Sequence, residues 1–459
     1  MDLRGARVVV VGLGSSGRAA ARLLVARGAV VSASDMRPLE ALREQAAELA
    51  ALGVAIETGG HTEATFKSAD LVVLSPGVPE TIPAAQAAAA SGAEIIGEFE
   101  LACRHTNTPI AAVTGTNGKT TTTKLLAHLM AGAGRQVFCG GNVGTPLSVY
   151  AAGPQEADLI VAEVSSFQLD TCTTFHPRVA VLLNVTPDHL DRYAGMEAYA
   201  RSKSRIFMNQ GEADYAVVNE DDPWTPTLRP QIKATVCGFS SSRAPLPRGA
   251  YMEGSHIHLS PGVLPQCAGH LYLLPLTFPI SSLKLKGRHN LENAMAALLA
   301  AACLGADPEA LKASLATFAP LAHRCEPVRT LRGVTFYNDS KGTNVDAVVR
   351  ALQAVEPPVV LIAGGRDKGG GYRELACALP GRVVAVVVMG EAAPMIAQEL
   401  GGLTRIVRAH SMEEAVAEAA ALSPHPGSVL LSPACSSFDM YENYAARGAH
   451  FRRVVEALA

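Results

Sequence analysis

The chain has 459 residues, enough for about three domains of ordinary size. Its residues are 48% hydrophobic and 18% charged with a net charge of −3, a balance typical of a globular protein and without the basic surface that nucleic acid requires. No apolar run approaches the ~18 residues that a membrane span needs, and nine dispersed cysteines without a CxxC pair predict reduced thiols. We therefore expect a cytoplasmic protein that binds neither nucleic acid nor a membrane.

The first block of the chain, residues 1–100, alternates short apolar strands with alanine-rich helices. Strands such as ARVVVVG and DLVVLSP flank helical stretches such as SGRAAARLLVARG. This alternation predicts a Rossmann-like domain, in which helices wrap a parallel sheet. The first apolar run is short and ends in a glycine loop, so it predicts a strand and not a signal peptide.

A glycine-rich loop follows that first strand. Gly12, Gly14 and Gly17 form the pattern G-x-G-x-x-G, and Asp35 follows the second strand. The spacing is almost that of a dinucleotide-binding loop, so an NAD-dependent oxidoreductase is one hypothesis. The pattern is weak by itself, and no residue near it offers hydride chemistry.

The second block, residues 101–318, opens on a strand, the loop VTGTNGKTTTTK and a helix. This is the setting of a phosphate-binding loop, in which backbone N–H groups and the helix dipole hold phosphate oxygens. Lys119 supplies a positive charge for the outer phosphates and Thr120 a hydroxyl for Mg²⁺, although Val113 stands where the common pattern has glycine. The block thus predicts a P-loop ATPase-type domain, without distinguishing a motor, switch, kinase or ligase. The predicted nucleotide-binding residues are Gly115, Thr116, Asn117, Gly118, Lys119, Thr120 and Thr121.

Two later strands of this block end in acidic residues. ADLIVAEVSSFQL delivers Glu163, which could hold or orient Mg²⁺ or could be a surface glutamate. AVLLNVTPDHLDRY delivers Asp188 and His189. His189 could ligate a second cation, or the cluster could begin a helix with Asp188 as its cap. The residues alone leave both alternatives open.

The third block, residues 319–459, alternates strands such as PVVLIAGG and VVAVVVMG with helices. It predicts a second Rossmann-like domain, and the chain as a whole an α/β fold of three domains. In such sheets ligands bind at the carboxyl ends of the strands, so the polar residues after each strand are the candidates for a site.

Seven segments occur in the order in which the Mur ligases, the ATP-dependent muramoyl-peptide ligases, carry them. They are TGTNGKTTT, EVSSFQL, NVTPDHLDRY, GRHNLENAMAA, HRCE, NDSKGTN and LSPACSSFDMYENYAARGAHF. The resemblance covers residues 8 to about 451, and the valine in place of the first loop glycine is normal in that family. The chain most resembles the branch that adds D-glutamate.

The resemblance implies a ligase that adds D-glutamate to UDP-N-acetylmuramoyl-L-alanine in peptidoglycan precursor synthesis. The alanyl carboxylate would attack the γ-phosphate of ATP, giving an acyl phosphate and ADP, and the amine of D-glutamate would then displace phosphate. Because carboxylate and phosphate repel each other, cations must neutralise both.

The resemblance also assigns the catalytic and nucleotide-binding residues. Lys119, Glu163, His189 and Lys203 would be catalytic, with one Mg²⁺ at Thr120 and Glu163 and a second at His189 and Glu163. Lys203 matches the lysine that the family carbamylates as a metal aid; without the resemblance it is a plain helix lysine. The residues implied to contact ATP are Asn290, Asn293, Arg324 and Asp339. Helix capping and surface ion pairs are the alternatives for these four.

Both substrates have implied contacts as well. The first glycine loop would bind UDP in place of NAD, with Ser15 and Ser16 on the diphosphate, Asp35 at the uracil, and Asn142 and His189 on the rest of that substrate. The implied D-glutamate residues are Lys341, Thr343, Lys368, Ser437, Phe438 and Tyr444. The third block shows no DNPR-type signature, which favours D-glutamate over meso-diaminopimelate or lysine.

Other classes remain as alternatives. Another Mur-type ligase or a folylpolyglutamate synthetase would keep the chemistry, whereas an oxidoreductase or a nucleotide-driven switch would leave the third domain unexplained. Three domains that contribute to one site imply domain closure. We expect a monomer.

Overall fold

The computed structural model describes residues 2–263, 275–285, 287–369 and 371–458. Within these ranges the strands form three separate sheets, each flanked by helices. Short 3₁₀ helices at Leu39–Ala41, Arg205–Phe207, Arg229–Gln231, Pro261–Val263 and Ile280–Ser282 complete the regular structure. No helix in the described part of the chain is long and apolar enough to cross a membrane.

The first sheet is parallel and comes from the N-terminal block. Its strands are β1 (Arg7–Val11), β2 (Val30–Asp35), β3 (Ala55–Thr58), β4 (Leu71–Leu74) and β5 (Glu94–Gly97). Its helices are α1 (Ser15–Ala26), α2 (Arg43–Ala50), α3 (Glu63–Lys67), α4 (Pro83–Ala90) and α5 (Glu98–Cys103). The strand order β3-β2-β1-β4-β5 is that of a Rossmann-like sheet without its sixth strand, as the alternation of strands and helices predicts.

The central sheet is the largest. Its strands are β6 (Ile110–Thr114), β7 (Val137–Gly141), β8 (Leu159–Glu163), β9 (Val179–Leu182), β10 (Tyr215–Asn219), β11 (Thr235–Ser240), β12 (Gly249–Glu253), β13 (His256–Leu259) and β14 (Leu276–Pro279). Its helices are α6 (Lys119–Gly132), α7 (Leu147–Ala152), α8 (Ser166–Asp170), α9 (Met196–Ser204), α10 (Thr225–Leu228), α11 (Arg288–Cys303) and α12 (Pro308–Thr317). The order is β14-β13-β12-β11-β10-β9-β6-β8-β7, parallel from β7 to β12 and antiparallel beyond it.

The antiparallel edge comes from the Pro/Ser/Gly-rich passage near residues 240–282, for which the sequence predicts irregular strands and loops. Strands β12 to β14 lie in it, and its residues 264–274 fall outside the described ranges.

The third sheet comes from the C-terminal block. Its strands are β15 (Glu326–Leu331), β16 (Val334–Asn338), β17 (Val359–Gly364), β18 (Val383–Met389), β19 (Arg405–Arg408) and β20 (Gly427–Leu431). Its helices are α13 (Val345–Ala354), α14 (Arg373–Ala378), α15 (Ala393–Leu400), α16 (Met412–Leu422) and α17 (Tyr444–Glu456). The order β15-β16-β20-β17-β18-β19 is parallel except for β15, which pairs antiparallel with β16.

The first two sheets share a hydrophobic cluster of buried residues, whereas the buried clusters of the third sheet are separate. One hydrophobic cluster runs from Val10 of the first sheet through Phe99 to Phe175 and Ala180 of the central domain. The Phe99 and Phe175 rings meet edge to face, with centroids 5.0 Å apart. The third sheet has its own buried clusters on its two faces. The C-terminal domain therefore meets the central one through polar contacts around the site described next.

Candidate active site

The loop between β6 and α6 depends on two glycines with positive φ, Gly115 at 150° and Gly118 at 86°. A Cβ on Gly118 would lie 2.2 Å from Asn293 Oδ1, so the loop packs against α11 at a spacing that only glycine allows. Asn184 holds the other side, because its backbone oxygen accepts from Thr116 N at 2.9 Å and its Oδ1 from Asn117 N at 2.8 Å. The loop thus presents the N-terminus of α6, whose first N–H groups have no intrahelical acceptors, as an anion site.

Two lysines meet at this loop. Lys119 Nζ donates to the backbone oxygens of Gly115 (2.9 Å) and Thr116 (2.8 Å), and Lys203 Nζ from α9 donates to the same Gly115 oxygen at 2.9 Å. Burial lowers the pKa of both ammonium groups, and the charge of Lys119 lowers that of Lys203 further. Lys203 also lies 4.3 Å above the Tyr199 ring. An anion between the two lysines would relieve their repulsion and their burial cost together.

Glu163 ends β8 beside the loop, since Val113 and Glu163 pair in the register of β6 and β8. Its Oε1 accepts from Asn142 Nδ2 at 2.9 Å, while its Oε2 is buried without a hydrogen-bond partner. A buried carboxylate oxygen without a partner is costly, unless a cation or donor occupies the space in front of it. Glu163 Oε2 and the nearby Thr120 hydroxyl are oxygen donors of the kind that Mg²⁺ prefers.

The segment after β9 brings Asp188 and His189 to the same edge of the sheet. Asp188 is buried; its Oδ2 accepts from Asn344 Nδ2 at 3.0 Å, and its Oδ1 lies 3.3 Å from Lys368 Nζ. Burial, opposed by Asp188, lowers the pKa of His189 to about 4, so the imidazole is neutral at pH 7 and able to ligate a metal. His189 has a φ of 55°, a left-handed conformation that turns the chain here.

These groups line one cavity of ≈ 270 Å³ between the central and C-terminal domains. The sequence-predicted residues that line it are Thr116, Asn117, Gly118, Lys119, Thr120, Asn142, Glu163, His189, Lys203, Arg324, Lys341, Thr343 and Lys368. Among the described residues, five basic side chains face it and two carboxylates, Glu163 and Asp188, oppose them. The excess of positive charge suits a highly anionic substrate.

A narrower cleft of ≈ 70 Å³ adjoins the outer side of the loop. Asn290, Asn293, Thr121, Arg324 and Asp339 line it. Asn293 Nδ2 donates to Asn290 Oδ1 at 3.2 Å, so the two side chains on one face of α11 touch each other. Burial raises the pKa of Asp339 to about 6; this carboxylate accepts from Ser432 Oγ at 2.6 Å and from Cys325 N at 3.1 Å.

The predicted amino-acid residues divide into two groups. Lys341, Thr343 and Lys368 line the reaction cavity, and burial followed by the Arg324 charge lowers the pKa of Lys341 to about 8. Tyr444 is linked to this group, because Lys341 Nζ lies 3.9 Å from its ring centroid. Ser437 is buried and Phe438 exposed, and neither is among the residues that line the cavity.

The glycine loop of the N-terminal domain lies apart from this cavity. A Cβ on Gly17 would lie 1.8 Å from the Gly12 oxygen, so the start of α1 packs tightly against β1. Asp35 accepts from Leu13 N at 2.8 Å and forms an ion pair with Arg37. Although burial opposes it, the Arg37 and Leu13 donors lower the pKa of Asp35 to about 2. Ser15 and Ser16 begin α1 beside this loop.

Several cavity residues escape the sequence reasoning. Ser165, Phe167 and Tyr199 line the cavity, as does Asn344, which follows the predicted Thr343 by one position. Asn344 lies in the segment NDSKGTN and caps α13, a role that an asparagine directly before an apolar helical stretch could have indicated. Phe167 lies in the segment EVSSFQL, but the sequence does not indicate that its ring and that of Tyr199 reach the cavity, because this depends on the packing of α8 and α9.

The fold and the site together define a three-domain nucleotide-binding enzyme with its reaction cavity between the central and C-terminal domains. Comparison with known proteins narrows this class, because three family models match in order: "Mur ligase MurD-like, N-terminal domain" at residues 6–97, "Mur ligase middle domain" at 113–301 and "Mur ligase, glutamate ligase domain" at 323–435. The chain belongs to the Mur ligase family.

Relatives and solved structures agree with this placement. A UDP-N-acetylmuramoylalanine--D-glutamate ligase of Desulfatibacillum aliphaticivorans is 45% identical over 100% of both chains, and one of Geobacter metallireducens is 44% identical over 100% of this chain and 99% of that one. The solved UDP-N-acetylmuramate-alanine ligase MurC of Thermotoga maritima has a TM-score of 0.60 at 20% identity, over 98% of this chain and 99% of that one. The MurF ligase of the same organism in complex with ADP has a TM-score of 0.58 at 19% identity, over 85% and 96%. At such identities these structures support the three-domain fold, which confirms the predicted fold class.

Proposed function

We propose that the chain joins D-glutamate to the alanyl carboxylate of UDP-N-acetylmuramoyl-L-alanine, with ATP converted to ADP and phosphate. The observation that carries the proposal is the single cavity in which the nucleotide loop, the unpartnered Glu163 oxygen and three basic residues of the C-terminal domain meet. Family membership and full-length relatives with that activity in their names support the choice of substrates.

The charges of the cavity fit the first half of the reaction. A carboxylate that approaches the γ-phosphate of ATP brings negative charge next to negative charge. Lys119 lines the cavity from the nucleotide loop, and Lys341 and Lys368 line it from the C-terminal domain. Preorganised cations on both sides stabilise the transferring phosphoryl group, and the acyl phosphate stays out of water while the amine arrives.

Mg²⁺ fits the donors on the nucleotide side. Thr120 and Glu163 would hold one ion, which would neutralise phosphate charge. Glu163, His189 and a modified Lys203 would hold a second. The unpartnered Glu163 Oε2 and the neutral imidazole of His189 are the features of this chain that suit these roles.

Lys203 is suited to carbamylation. Burial and the charge of Lys119 lower its pKa well below the ordinary value, which favours the neutral amine that attacks CO₂; a nitrogen–carbon bond forms, one proton leaves, and a carbamate anion results. That anion would replace a buried cation beside Lys119. A carbamate carbon signal from ¹³C-bicarbonate, present in the wild-type chain and lost in Lys203→Met, tests the assignment; the same signal in both would refute it.

The remaining predicted residues recognise the two substrates. The Gly12–Gly17 loop with Ser15 and Ser16 would take the diphosphate of UDP at the start of α1, with Asp35 at the uracil and Asn142 on the muramoyl part. Asn290, Asn293, Arg324 and Asp339 would line the nucleotide. Lys341, Thr343 and Lys368 would bind D-glutamate, whose two carboxylates suit two ammonium groups. Ser437, Phe438 and Tyr444 would complete that pocket, and we expect the enzyme to work as a monomer in the cytoplasm.

Phosphate release tests the proposed function. ATP and UDP-N-acetylmuramoyl-L-alanine are mixed with the chain and with D-glutamate, L-glutamate, L-alanine, L-lysine or meso-diaminopimelate in separate assays. We expect release that depends on D-glutamate. Release with another amino acid would preserve the ligase chemistry and overturn the substrate, whereas none with any amino acid would overturn the function.

A further inference from the structure

We propose that Asp346 is a positioning residue that couples closure of the C-terminal domain to the shape of the nucleotide loop. The proposal rests on the proposed function, because it explains how the amino-acid side of the cavity is held against the phosphate side. Asp346 lies in the first turn of α13 and is not among the residues that line the reaction cavity.

One oxygen of Asp346 joins the two domains. Its Oδ2 accepts from Asn117 Nδ2 at 2.7 Å and from Thr186 Oγ1 at 3.1 Å, both in the central domain. Arg350 Nε, one turn further along α13, donates to the same oxygen at 2.9 Å and holds the carboxylate in place. Three donors on one partly buried anion form a strong and directional contact.

Arg350 gives the start of α13 a second contact with the central domain. Arg350 Nη1 lies 3.5 Å from Glu292 Oε2 on α11, the helix that packs against the nucleotide loop. The carboxylates of Asp346 and Glu292 and the guanidinium between them are all less than a quarter exposed. The start of α13 is thereby tied both to the loop and to the helix behind it.

The same end of α13 carries the amino-acid residues. Asn344 caps the helix, because its Oδ1 accepts from Ala347 N at 2.8 Å, and its Nδ2 donates to Asp188 Oδ2. Thr343 precedes it and lies 3.4 Å from Lys368 Nζ. When Asp346 engages Asn117, Thr343 and Lys368 are therefore carried to a fixed distance from the loop that holds the phosphates.

Asn117 is the loop residue that would transmit a change in the shape of the nucleotide loop to the C-terminal domain. Its backbone N–H is held by Asn184, and its side chain contacts Asn344 and Asp346 of the other domain. A loop reshaped by nucleotide would move this amide and alter the interdomain contact. The first-turn acid thus serves the reaction by aligning two half-sites without touching either substrate.

The test compares Asp346→Ala with Glu413→Ala, a matched control. Glu413 is also in the first turn of a helix, α16, but its ion pair is with His450 inside the C-terminal domain. Each variant removes one acidic side chain that interacts favourably with the N-terminus of its helix. A loss of activity that both variants share would therefore come from a less stable helix. We expect Asp346→Ala to lower kcat/KM for D-glutamate about 10- to 100-fold, with unchanged binding of UDP-N-acetylmuramoyl-L-alanine in the absence of ATP.

A double-mutant cycle with Thr186→Val separates alignment from general damage. Valine removes the hydroxyl that donates to Asp346 and preserves the side-chain shape. If the contact is the cause, the double variant will be no slower than Asp346→Ala alone, since both changes break one interaction. Additive losses, or equal behaviour of Asp346→Ala and Glu413→Ala, would overturn the proposal. Failure of the proposed function is distinct, because the wild-type chain would then release no phosphate with D-glutamate.

Discussion

The proposed role of Glu163 is to hold Mg²⁺ at the phosphates through its unpartnered Oε2. Glu163→Gln preserves the shape of the side chain and removes its charge, so we expect kcat to fall by about 10²–10³, with a melting temperature no lower than that of the wild-type chain. Lys119→Ala should abolish turnover for the same electrostatic reason. Steady-state phosphate release and thermal unfolding check both variants, and near-normal activity in either would remove the phosphate-loop assignment.

The pKa of Lys341 gives a prediction for pH. Burial lowers this pKa to about 8, so the ammonium to which we assign a D-glutamate carboxylate is lost as the pH rises through 8. The KM for D-glutamate should therefore rise on the alkaline side. In Lys341→Arg the side chain stays charged, and the rise should move to higher pH. If the KM for D-glutamate rises over the same alkaline pH range in the wild-type chain and in Lys341→Arg, a group other than Lys341 is responsible.

At the scale of elements, the Gly118 turn determines where α6 begins. Alanine at a φ of 86° costs about 1–2 kcal/mol, and its Cβ would also collide with Asn293 Oδ1. Gly134, just past the other end of α6, has a φ of 84° with open space around it. We expect Gly118→Ala and Gly134→Ala to introduce similar backbone strain, but only Gly118→Ala to add the collision with Asn293 and to weaken ATP binding.

Chemical denaturation and nucleotide titration measure the two effects. Equal ATP affinity in the two glycine variants would mean that the contact between the loop and α11 does not shape the nucleotide site.

Local elements are the part that the sequence predicts well. The strand before VTGTNGKT and the helix after it are predicted from the apolar run and the loop pattern, and they appear as β6 and α6. The strand-end position of Glu163 follows from the same reasoning, because the carboxyl ends of parallel strands meet at one edge. Its unpartnered Oε2 does not follow, since it depends on which donors the neighbouring loops supply.

At the scale of the whole molecule, the contacts between domains are what sequence reasoning misses. Asn344 and Asp346 meet Asn117 across more than two hundred positions of the chain, and no local pattern encodes the relative placement of two domains. A family resemblance could indicate which residues belong to the site, but the contacts between the domains are known only from the folded structure.

Domain closure is the prediction at this scale. Lys368 and Asn344 contact Asp188, so the structure has the C-terminal domain seated on the central one. We expect ATP with UDP-N-acetylmuramoyl-L-alanine to favour this arrangement, because their negative charges bridge the basic side chains of both domains. Small-angle scattering should show a smaller radius of gyration with both ligands than with neither. Identical profiles would contradict ligand-driven closure.

The central claim is that the substrate carboxylate, activated as an acyl phosphate in the Lys119–Glu163 cavity, becomes the amide. The most direct measurement uses UDP-N-acetylmuramoyl-L-alanine with oxygen-18 in the alanyl carboxylate. The attacking oxygen forms the bridge to phosphorus, and it leaves with phosphate when the amine attacks the acyl carbon and the bond between that carbon and the bridging oxygen breaks. We expect one labelled oxygen in each phosphate released with D-glutamate. Unlabelled phosphate released with amide formation would contradict it.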